Sequence, residues 1–75
     1  MMNRITQNDK ILHWFETHEV ITPLDAMQAY RIMRLAARIK ELETVGHRFE
    51  HETVWTRDEG GKIIGHYTAY RKVFA

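Results

Sequence analysis

The sequence predicts a small α+β fold, in which three helices precede a two-stranded antiparallel hairpin. Three observations carry this reading. Thr22-Pro23-Leu24-Asp25 is a compact helix-start signal, with Thr at the N-cap, Pro at the first helical position and a carboxylate facing the helix dipole. Leu35, Ile39 and Leu42 recur at helical spacing and are followed by Gly46, a residue suited to a left-handed C-cap. Past Gly46 the apolar period falls to that of a strand, and Asp58-Glu59-Gly60-Gly61 then marks a reversal between two β-prone runs.

Taken in order, Thr6 and Asp9 form a capping-box pattern with Asp in place of Glu, and Ile11, Leu12 and Phe15 continue it at helical spacing, so helix 1 is expected over about 7–18. Val20-Ile21 suits a linker or a brief strand. Helix 2 is expected over about 23–30. Arg31-Ile32 would be a very short connection, and helix 3 would run over about 33–45, with Ala36 beside the core positions and Arg34, Ala37, Arg38 and Glu41 on the opposite face. In the first strand of the hairpin Phe49, His51, Thr53 and Trp55 share one face, and Glu50 and Glu52 the other. Ile63 to Val73 supplies the return strand. A four-residue loop would pair Arg57 with Lys62, Trp55 with Ile64 and Phe49 with Tyr70, and the whole hairpin would cover about 47–73. No repeats or low-complexity stretches interrupt the chain, which is expected to be one domain over 1–75.

Length and composition limit the function classes. A chain of 75 residues, 44% hydrophobic and without cysteine, argues against a second domain or a deep enzyme cleft and must do without disulfides. Its 28% charged residues and short apolar runs argue against a membrane span, and the start at Met1 does not read as a secretion signal. A cytoplasmic location is expected. Eleven Lys and Arg against ten Asp and Glu give a formal charge of only +1, which is low for a nucleic-acid binder. The charge is polarised, however. Residues 1–30 carry Arg4 and Lys10 against Asp9, Glu16, Glu19 and Asp25, whereas residues 31–48 carry Arg31, Arg34, Arg38, Lys40 and Arg48 against only Glu41 and Glu43.

The order of helix, short strand, helix, helix, strand, strand is the topology of a winged helix-turn-helix. In such folds the third helix can enter the major groove while the hairpin, or wing, touches the backbone or minor groove. The run Ile21-Thr22-Pro23-Leu24-Asp25-Ala26, then Tyr30, then Ile32-Met33-Arg34-Leu35-Ala36-Ala37-Arg38-Ile39, then Leu42 and Gly46-His47, resembles a family of small helix-turn-helix proteins common in bacteriophages and prophages. That resemblance implies a winged DNA-binding fold and a regulatory role, with Arg34 and Arg38 at the basic positions of the recognition helix. Two departures stand out. Arg31 occupies a turn position where glycine would be expected, and a bulky residue at positive φ carries strain. The last turn of helix 3, Glu41-Leu42-Glu43-Thr44, is too acidic to lie against phosphates.

The expected function is sequence-specific binding of double-stranded DNA and transcription regulation. Arg34, Ala37 and Arg38 form the reading face with Met33 at its start, and Arg31, Arg57 and Lys62 are the expected phosphate contacts. A single module buries little surface, so a homodimer or tandem binding is expected. Two alternatives stay open: an excisionase-like architectural factor that bends DNA, and a protein-interaction module that binds a host or phage protein, which the near-neutral charge would suit. No catalytic grouping, phosphate-cradling loop or small-molecule substrate site is recognisable, and no cofactor is expected. Five histidines invite a metal hypothesis, with His51 and His66 diagonal in the expected register, but a third close ligand is missing. Trp14, Trp55, Tyr67 and Tyr70 could stack on bases, although core packing is the simpler role. An exposed Tyr67 or Phe74 would instead point to a dimer contact.

Overall fold

The computed structural model describes residues 6–74; Arg4, the start at Met1 and the two ends of the expected 1–75 domain lie outside the described residues. Three helices and three strands follow in the order α1 (Gln7–Trp14), β1 (Val20–Ile21), α2 (Pro23–Tyr30), α3 (Leu35–Thr44), β2 (Arg48–Arg57) and β3 (Ile63–Val73). The sheet is antiparallel in the order β1-β3-β2, so Val20-Ile21 adds a third strand at the base of the expected two-stranded hairpin.

Local signals explain the helix starts. Thr6 with Asp9 and Thr22 with Asp25 each form a reciprocal capping box, in which the Thr hydroxyl accepts from the Asp amide and the Asp carboxylate accepts from the Thr amide. These hydrogen bonds, led by the one from the Thr6 backbone, hold the Asp9 carboxyl below its ordinary value of 3.8. Helix 1 is shorter than expected. The amides of Glu16 and Thr17 bond to carbonyls three residues back, at 3.0 and 3.2 Å, which tightens the chain into a turn after Trp14 and leaves His18 stacked on the Trp14 ring at 3.8 Å.

Helix 3 also starts later than expected, because Met33 and Arg34 precede it. Arg31 adopts the left-handed conformation, with φ 57° and ψ 33°, and Ile32 then drops into the core at 1% exposure. The chain needs four residues, Arg31 to Arg34, to make that descent before helical geometry resumes at Leu35. At its other end α3 closes as the sequence suggests: Gly46 has φ 110°, its amide bonds to Glu43, and the His47 amide bonds to Leu42, a Schellman arrangement.

The core sits where the helices meet the base of the sheet. Ile11, Ile21, Ile32 and Ile39 are its fully buried side chains, joined by Phe15, Ala26, Leu35, Leu42, Phe49 and Tyr70. The Phe15 and Phe49 rings lie 5.7 Å apart, and the Trp14 indole donates to the Val20 carbonyl at 2.8 Å, which ties α1 to β1.

Beyond this base the hairpin projects outward, giving extents of 55 × 27 × 22 Å. Its register differs from expectation by two residues: Trp55 pairs with His66, Phe49 with Lys72, His51 with Tyr70, and Arg57 with Ile63 across a bulge at Thr56/Arg57. One residue of this shift comes from the turn and one from the bulge. The Asp58 amide bonds to the Lys62 carbonyl, the Asp58 carboxylate accepts from the Gly60 and Lys62 amides, and Gly61 takes φ 86°, so the loop holds three residues rather than four. Below the bulge the two-residue slip keeps each side chain on its expected face but changes its partner, whereas at the tip Ile63 is offset by one and Ile64 has no partner. His51 and His66 are consequently four positions apart along the ladder, not diagonal neighbours. The expectation that all four aromatics fill the core is also corrected: Tyr70 is buried and Trp14 packs against the core, but Trp55 and Tyr67 are 56% and 37% exposed, because the outer hairpin lies beyond the reach of the helices.

Candidate nucleic-acid interface

The geometry of α3 decides which of its side chains can meet a partner. Leu35, Ile39 and Leu42 set the buried side, and the exposed side carries Ala36, Lys40 and Thr44, with Ala37 half-buried next to them. This rotates the outer face relative to the sequence expectation. Ala36 leaves the core side, while Arg38 moves to the flank and is half-buried. There its guanidinium pairs with Glu41 at 3.3 Å, and the Glu41 carboxylate also accepts from Asn8 of α1 at 3.2 Å.

The acids in the last turn of α3 are therefore committed. Glu41 braces α3 against α1, and Glu43 meets the His51 imidazole at 2.9 Å, which fixes the base of the wing to the helix. His51 in turn lies edge-on to Tyr70 at 4.9 Å; burial, with Glu43 close by, raises the Tyr70 phenol above 10.0, so it stays protonated at neutral pH.

Ahead of α3, Arg31 and Arg34 are both exposed and Met33 is 77% exposed. Arg34 occupies the N-cap position without a side-chain capping bond, so its guanidinium is not spent on the helix end. On the wing, Arg57 donates to the Gly61 carbonyl at 2.9 Å, whereas the Lys62 side chain is exposed and only its backbone takes part in the turn. The Asp58 carboxylate accepts both loop amides on one oxygen, Oδ1.

Residues 6–72 match the family described as winged helix-turn-helix domain. The chain belongs to that family. No curated protein and no solved structure matches it at a significant level. Winged helix-turn-helix membership points to binding of double-stranded DNA, and domains of this type are typically binding modules rather than enzymes. In the winged helix-turn-helix frame α3 is the recognition helix and the β2–β3 hairpin is the wing. The site residues expected from the sequence fall into two groups: Arg31, Met33, Arg34, Ala37 and Arg38 cluster at the start and side of α3, while Arg57 and Lys62 stand at the far end of the wing.

Lys40 was legible in the sequence as part of the basic segment but not as part of the reading face. Its spacing of four from Ala36 would have placed the two together, had Ala36 been assigned to the outer side. Among the described residues no cluster of three or more His, Asp or Glu could hold a metal ion, and no helix is long and apolar enough to cross a membrane.

Proposed function

We propose that the chain is a sequence-specific double-stranded DNA-binding protein that regulates transcription in a phage or prophage, acting in the cytoplasm where the genome lies. One observation carries this reading. The outward side of α3 presents Ala36, Ala37 and Lys40, with Arg31, Met33 and Arg34 at its start, while the acids of the same helix are held by Arg38, Asn8 and His51.

Small side chains at Ala36 and Ala37 let the helix backbone approach base edges and offer methyl groups to thymine. Arg34 and Lys40 supply hydrogen bonds to guanine edges or phosphates, and Arg31 and Lys62 hold the phosphate backbone on either side. Arg38 contributes mainly by orienting α3 through Glu41, and Arg57 chiefly by shaping the wing tip.

Selection of bound duplexes from a random library, followed by fluorescence anisotropy on the recovered site, tests the proposal. Arg34→Ala and Lys40→Ala should each weaken binding about 5- to 100-fold, corresponding to about 1–3 kcal/mol per lost base contact. Arg38→Ala should weaken it less. Unchanged affinity in all three folded variants would remove the reading face. No binding to any duplex at low salt would instead favour the protein-interaction role.

The excisionase-like architectural role is supported by a separate feature of the wing. Trp55 and Ile64 are 56% and 65% exposed, and apolar side chains on minor-groove proteins commonly wedge between base steps and kink DNA. Circular-permutation gel shifts decide between the roles: a bent site supports the architectural one, and an undistorted site leaves the regulator.

A further inference from the structure

Asn8 lies in the first turn of α1, where the capping box of Thr6 and Asp9 is complete without it, and Asn is a weak helix former. Its amide reaches across to α3 instead. There Nδ2 donates to Glu41 Oε1 at 3.2 Å, and the Arg38 guanidinium meets the other carboxylate oxygen, Oε2, at 3.3 Å. The amide can face only this way round, because turning it over would set its oxygen against a carboxylate.

That arrangement strands two polar atoms. Asn8 Oδ1 and Arg38 Nε are shut off from solvent and have no hydrogen-bond partner among the described residues. A buried polar atom left unpaired destabilises a fold, and the bonds formed in exchange go to a Glu41 side chain that is 51% exposed, where ion pairs contribute little. Folding therefore gains little from the cluster. The position of Glu41 shows what it does achieve. Glu41 lies one turn beyond Ala37 and next to Lys40, on the border between the outward side of α3 and the side that meets α1. A carboxylate free to swing there would reach the outward side and repel phosphates, and the bonds from Asn8 and Arg38 both draw it the other way.

We propose that Asn8 is a positioning residue for DNA binding: from α1 it holds the Glu41 carboxylate, and the Arg38 guanidinium with it, away from the reading side of α3. This role rests on α3 being the DNA-reading element, and it extends the binding apparatus to a helix that supplies none of the proposed DNA contacts. The stranded atoms are tolerated because the outward side of α3 stays free of negative charge. Stability and binding should accordingly respond to Asn8 in different directions, which a residue that merely braced two helices would not produce.

Asn8→Ala removes the donor to Glu41 together with one stranded atom, and it puts a better helix former into α1. Its Tm should equal or exceed that of the native chain, while anisotropy on the duplex recovered by selection should show affinity about 3- to 10-fold weaker. Asn8→Leu, which fills the space of the amide, should behave alike. Glu41→Gln removes the charge that Asn8 restrains and should bind at least as tightly as the native chain. Adding Asn8→Ala to Glu41→Gln should then change affinity by less than about 2-fold. Unchanged affinity in both Asn8 variants overturns the proposal, and so does a joint loss of Tm and affinity that Glu41→Gln does not relieve. Failure of the native chain to bind any duplex removes the DNA reading itself, a result seen before any variant is made.

Discussion

Arg31 combines a backbone demand with a charge. Its φ of 57° is the only positive φ at a non-glycine residue among those described, and it closes α2 through an amide bond to Met27 at 2.8 Å. Left-handed geometry costs an L-residue on the order of 1 kcal/mol, and glycine avoids that cost at the expense of a more flexible unfolded chain. Arg31→Gly should therefore stabilise the fold by about 0.5 kcal/mol, raising Tm by roughly 2–4 °C, while weakening DNA binding if Arg31 holds a phosphate. Thermal unfolding and anisotropy on the same variant check the two halves separately. Asp9 makes the second residue-scale prediction. Its pKa is lowered in the folded chain, so its stabilising contribution is present above its ordinary value of 3.8 and is lost as pH falls through the lower folded value. The Tm advantage of the native chain over Asp9→Asn should hold at pH 7 and shrink once the pH falls below 3.8. An advantage that does not change with pH would mean that the carboxylate charge does not matter at this cap.

At the scale of elements, α2 tests how much a local signal contributes. Its one buried residue is Ala26, with partly buried Tyr30 beside the core, so its capping box matters more than it would on a well-packed helix. Thr22→Ala should cost about 1–2 kcal/mol, and thermal melts should show a larger loss than for Thr44→Ala at the C-terminal end of α3. The same locality explains what could be read in advance. Both helix starts at Thr6 and Thr22, the C-cap at Gly46 and the bounds of β3 follow from interactions between residues close in sequence. The start of α3 does not, because it depends on Ile32 reaching a core assembled by α1 and the sheet. Hairpin register was missed for a related reason: Asp58 is part of the loop chemistry through its carboxylate, and the bulge at Thr56/Arg57 has no composition signal. Of the proposed reading face, Arg34 and Ala37 are expected from the sequence, and the structure leaves Arg34 exposed and Ala37 half-buried. The Arg38–Glu41 pair is local, at i,i+3, and Asn8 of α1, thirty-three residues away from that glutamate, bonds its other carboxylate oxygen.

For the whole molecule, a charge of +1 sets how binding should respond to salt. Each phosphate neutralised by a protein cation contributes about 0.9 to the slope of log affinity against log salt. Arg31, Arg34, Lys40 and Lys62 are the exposed cations of α3 and the wing tip with no side-chain partner described, so a single copy on DNA should show a slope of roughly −3 to −4. Anisotropy titrations between about 50 and 200 mM salt would read that slope. A slope much steeper than about −4 would show that the cations along the rest of the wing also reach the phosphate backbone.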